Sequence, residues 1–101
     1  MHLVEVFLPL TYPNGDLVPE AIFELIEAEL TETFGGATEY SRGSARGLWK
    51  NGHQLETDSL VVFEVMTKEL DKDWWKGFRH RTQTLFRQEE LLVRATTIEH
   101  L

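Results

Sequence analysis

A chain of 101 residues and 11.7 kDa has room for one hydrophobic core and no second domain. Apolar residues make up 42% and charged residues 27%, and no apolar run approaches the ~18 residues of a membrane-spanning helix, so no membrane partner is expected. The absence of cysteine excludes disulfides, thiol catalysis and thiolate metal sites, and a net charge of −7 argues against nucleic acid, whose phosphates need a basic surface.

Residues 3–10 form an apolar run with a single charge, Glu5, and read as a central strand whose pairing weakens at Pro9, a residue with no N–H for the ladder. Because Met1-His2 leads straight into this run and not into a basic, apolar signal, a cytoplasmic setting is expected. Thr11 to Asp16 is turn chemistry, with Asn14-Gly15 suited to positive φ. Pro19 fits the first position of a helix that runs to Phe34. Ile22, Ile26, Leu30 and Phe34, flanked by Phe23 and Leu25, make its core stripe, and Glu20, Glu24, Glu27 and Glu32 take the opposite side. Gly35-Gly36 ends it.

Residues 37–42 read as a short, polar edge strand, followed by a small-residue loop from Ser41 to Gly47 that holds Arg42 and Arg46. Leu48 to Leu55, turning at Asn51-Gly52, suggest a hairpin extension. Residues 59–66 are almost unbroken in apolar character and read as a second central strand. Asp71 is a natural helix N-cap, with Asp73 well placed in the first turn. The second helix runs to about Gln88, with Trp74, Trp75, Phe78, Leu85 and Phe86 on its apolar side and Lys72, Lys76, Arg79 and Arg87 in solvent. Gly77 within it costs ~1 kcal/mol against alanine and suggests close packing. Residues 91–98 form the last strand. Charge divides along the chain: residues 1–41 carry eight acids and no Lys or Arg, so an acidic first helix is expected to lie beside a mixed-charge second one.

The order β-α-β-β-α-β has a favoured solution, an α+β ferredoxin-like sandwich with strand order 4-1-3-2 and both helices on one face of an antiparallel sheet. Strand alternation then sends Val4, Val6 and Leu8, with Val61, Phe63 and Val65, toward the helices. The other face receives Leu3, Phe7, Leu60, Val62, Met66, Leu92 and Ile98, with Glu5, Glu64 and Arg94 among them. Such a surface is expected to be covered, either by a second copy pairing sheet to sheet as a dimeric α/β barrel or by residues 43–58 folding back with Trp49 as the plug.

Within this face, Glu5, Glu64 and Arg94 read as a charge cluster that fixes register, or as two carboxylates raising each other's pKa for acid–base work. Arg42, Arg46, Lys50 and His53 around Trp49 fit an anion site with an aromatic wall, or a solvated hairpin. His2 and His100, at ends that this topology makes neighbours, join Glu99 as a weak metal constellation, and no metal or other cofactor is expected.

Phe34-Gly35-Gly36-Ala37-Thr38, then Gly47-Leu48-Trp49-Lys50-Asn51-Gly52, and later Phe86-Arg87-Gln88-Glu89-Glu90, resemble a family of short uncharacterised bacterial proteins. The resemblance spans residues 1–98 in outline. It implies the ferredoxin-like fold and no settled activity, and adds weight to Trp49 and Gln88-Glu89. Two functions stay open. One is a homodimeric binding or assembly module. The other is a small dimeric enzyme acting on a small organic molecule in a pocket lined by groups such as Glu64, Arg94, Tyr40 or Arg42.

Overall fold

The computed structural model describes residues 1–45 and 58–101. Its elements are β1 (His2–Pro9), α1 (Glu20–Phe34), β2 (Thr38–Ala45), β3 (Asp58–Thr67), α2 (Lys72–Phe86) and β4 (Val93–Thr97). The sheet order β2-β3-β1-β4, which from the opposite edge is 4-1-3-2, is antiparallel at every seam. The architecture is therefore α+β, consistent with a ferredoxin-like fold. The two apolar runs, β1 and β3, occupy the centre, where both strand edges are hydrogen-bonded. The expected hairpin at 48–55, and Arg46, Trp49, Lys50 and His53, lie outside the described residues.

Alternation decides the core. Val4, Val6, Leu8, Val61, Phe63 and Val65 form one buried cluster with Phe23, Ile26 and Leu30 of α1 and Trp75, Phe78 and Phe86 of α2. Burying a side chain such as Phe63 or Phe78 contributes about 1.5–3 kcal/mol. The helices are tied at one end by an aromatic group in which Phe34 stacks on Trp75 at 5.1 Å and Trp74 on Phe78 at 5.4 Å. Across the top of the layer, Arg81 of α2 pairs with Glu29 of α1.

Local signals explain the ends of the elements. The Trp74 N–H donates to Asp71 Oδ1 at 3.0 Å, capping α2, and Gly35 takes the left-handed conformation (φ 82°) that closes α1. Gly15 adopts φ 91° in the turn after β1.

Several expectations are corrected. Pro19 is the N-cap of α1 and not its first helical residue. Ser41 to Ala45 is strand and not loop: β2 continues past an irregularity between Arg42 and Ser44. α2 stops at Phe86, because Arg87 turns left-handed (φ 54°). Leu25 is exposed, lying off the stripe that Phe23, Ile26 and Leu30 define. Gly77 marks no close packing, since a methyl group there meets only the end of the Arg81 side chain. No helix among the described residues is long and apolar enough to cross a membrane.

Candidate functional site

The face of the sheet opposite the helices is laid out in cross-strand rows. In one row, Thr38 of β2 faces Glu64 of β3, Glu64 faces Glu5 of β1, and Glu5 faces Arg94 of β4. The next row runs from Tyr40 through Val62 to Phe7, and the row on the other side holds Met66, Leu3 and Thr96. The expected cluster is thus assembled by register, although Glu5 and Arg94 are separated by most of the chain.

Its geometry is that of an ion pair set in an apolar surround. Arg94 Nε donates to Glu5 Oε1 at 2.9 Å, and the guanidinium lies 4.9 Å from the centre of the Phe7 ring. Glu5 is only 7% exposed, whereas the Arg94 side chain is 52% exposed. Glu64 is half-buried on the far side of Glu5. Two carboxylates directly opposite one another repel, and Arg94 offsets that repulsion from one side. An ion pair of this kind fixes alignment more than it stabilises.

Beside the charged row lies a groove of about 570 Å³ between the open face and the end of α1. Leu3, Phe34, Tyr40 and Met66 give it apolar and aromatic walls, and Glu64 and Thr38 are its polar members. Gly35 and Gly36, which end α1, bring backbone to its rim.

The remaining sequence candidates fall elsewhere. Arg42 stands opposite Leu60 in the β2–β3 register, away from the Glu64 row. Trp49 lies outside the described residues. His2 faces Thr97, and among the described residues no group of three or more metal-ligating side chains comes together. The Gln88 side-chain amide donates to the Phe86 carbonyl at 3.2 Å, tying off the end of α2, and Glu89 is exposed. Val62, placed on the open face by alternation, is fully buried.

Sequence reasoning missed Thr38 and the groove at Gly35-Gly36, whose signal was the strand that follows directly on the helix-ending glycines. Lys72, Lys76 and Arg79, expected in solvent, are exposed, and they also border a cleft between α2 and β4 that the sequence did not signal. Glu39, opposite Phe63 on the helix side, has its carboxyl pushed up by desolvation first, then by the Glu27 and Glu20 carboxylates.

No family model and no curated protein matches the chain. Its fold is nevertheless shared. The chain is similar to a phage SAM lyase solved in complex with S-methyl-5'-thioadenosine (TM-score 0.62, 15% identity, covering 94% of this chain and 79% of the lyase). It is also similar to a mutant CutA1 from Pyrococcus horikoshii (TM-score 0.62, 16% identity, covering 100% and 86%). The apo form of a phage SAM lyase aligns with TM-score 0.57 at 16% identity, over 94% of this chain and 78% of that one. At these identities the likeness defines the class of fold.

Proposed function

We propose that this chain is a single-domain, self-associating binding module that buries the open face of its sheet against a second copy, as a dimeric α/β barrel. The observation behind this reading is the uneven cover of that face. Met66, Leu92 and Tyr40 are 53%, 53% and 45% exposed, while Glu5 and Val62 between them are buried. A second copy removes those three side chains from water, and the Glu64–Glu5–Arg94 row supplies charges of both signs with which a self-complementary seam fixes its register. Sedimentation equilibrium at micromolar concentration is expected to give the mass of two chains. A single-chain mass throughout contradicts the proposal.

The groove beside Glu64 favours a second function, a small enzyme or binder acting on an organic cation. Its volume lies within the range typical of ligand pockets, and a carboxylate next to an aromatic ring suits a positive charge. SAM is such a cation, and a neighbour in fold is a SAM lyase. Thermal denaturation with SAM and with S-methyl-5'-thioadenosine tests this: stabilisation that Glu64→Gln abolishes supports it, and no shift with either compound removes it. Chromatographic release of the thioadenosine from SAM separates turnover from binding.

A further inference from the structure

A second cleft lies on the helix side of the sheet, away from the open face, between α2 and the edge strand β4. It is open to solvent and has a volume of about 290 Å³. Its floor is apolar, made by Val4, Val93, Ala95, Leu70 and the indole of Trp75. Its wall is a row of cations: Lys72, Lys76 and Arg79 follow one another at spacings of four and three along α2, which places them on one stripe of the helix. No acidic side chain lines the cleft, and none of the three cations makes an ion pair among the described residues. In a chain of net charge −7 this is a local reversal of sign. On the sheet side the cleft is bordered by the edge strand β4, where Ala95 presents only a methyl group. Trp75 also carries a buried indole Nε1 that donates to no acceptor among the described residues.

We propose that this cleft binds a small amphipathic anion, with an apolar body against Trp75, Val93 and Ala95 and a carboxylate or phosphate head held by Lys72, Lys76 and Arg79. The head is attracted by three cations that nothing in the cleft neutralises, and the body displaces water from an apolar floor. Binding is weakened by salt, because the cations are exposed.

The test is a titration of the ¹⁵N-labelled chain with octanoate and with octyl phosphate, read by NMR at the Trp75 indole N–H and the Val93 and Ala95 amides. Octyltrimethylammonium and inorganic phosphate are the controls. Both amphipathic anions are expected to move these three signals saturably, and the one binding more tightly identifies the head group. The cationic amphiphile and phosphate alone are expected to move them little. The double variant Lys72→Gln/Lys76→Gln, altering only exposed side chains, is expected to weaken binding at least tenfold. Ala95→Leu, which fills the floor without changing charge, is expected to do the same. The proposal is overturned if neither anion binds, if the quaternary ammonium binds equally well, or if the lysine variant binds unchanged. Shifts confined to Tyr40 and Met66 on the open face also overturn it.

Discussion

On the helix side of the sheet, Val4, Val6, Leu8, Val61, Phe63 and Val65 are all between 0 and 4% exposed. Their immediate neighbours in the same two strands, on the opposite face, run from Val62 at 0% through Glu5 at 7% to Met66 at 53%. One set is uniformly apolar and sealed by two helices. The other mixes apolar side chains with an ion pair and is only partly covered. Both faces belong to the same backbone: one is packed against the helices and holds the domain together, and the other leaves part of its apolar surface exposed.

Substitutions can break or sharpen this contrast. The largest effect is expected in the core, where Phe63→Ala should cost about 3–5 kcal/mol in chemical denaturation, since the ring is wholly enclosed and its removal leaves a cavity. On the open face, Arg94→Ala removes the guanidinium from Glu5 and from the Phe7 ring, yet half of the Arg94 side chain is in water. A loss of about 1 kcal/mol is expected, with most of it recovered as coupling in a double-mutant cycle with Glu5→Gln. A cost as large as that of Phe63→Ala would mean that the open face is a second core.

Smaller changes probe the helix layer. Gly77→Ala is expected to stabilise by about 0.5–1 kcal/mol, because the helix gains propensity and the new methyl meets only a movable side-chain end. Glu39→Gln should stabilise by about 0.5 kcal/mol or less at neutral pH, the group being exposed and screened. Folding raises the Glu39 pKa, so its contribution to wild-type stability is most favourable when it is protonated and declines as pH rises through the folded value. The advantage of the glutamine variant should therefore vanish on acidification through the carboxylate range. A gain that persists at low pH would assign it to something other than charge.

Much of this architecture was legible in residue order. The alternation of β1 and β3 named the core side correctly, and the Asp71 cap, the Gly35 terminator and the central placement of both apolar strands followed from local chemistry. The Glu5–Arg94 pair became visible only once a topology was assumed, because register and not sequence proximity brings the two together. The uneven burial of the open face, from Val62 to Met66, was not legible, because alternation assigns a face and says nothing of how well each position on it is covered. Leu25 was misjudged because helix periodicity tolerates a neighbour of the stripe that a two-layer fold leaves in solvent. The α2–β4 cleft had no signal in the pattern of α2 alone: residues of α2 and of β4 line it together, and only the tertiary arrangement brings them side by side.

The contrast between the two faces rests most heavily on what covers Met66. Sedimentation equilibrium of the wild-type and Met66→Asp chains, run side by side from low micromolar to submillimolar concentration, addresses it directly. Met66 is half exposed in the single chain, so an aspartate there costs the monomer little, while at a seam between two sheets it places a charge in an apolar contact. The wild type is expected to sediment as two chains and Met66→Asp as one, with the variant's unfolding transition intact. Equal single-chain masses for both, or a dimer undisturbed by the aspartate, would contradict the assignment of the open face as the assembly surface.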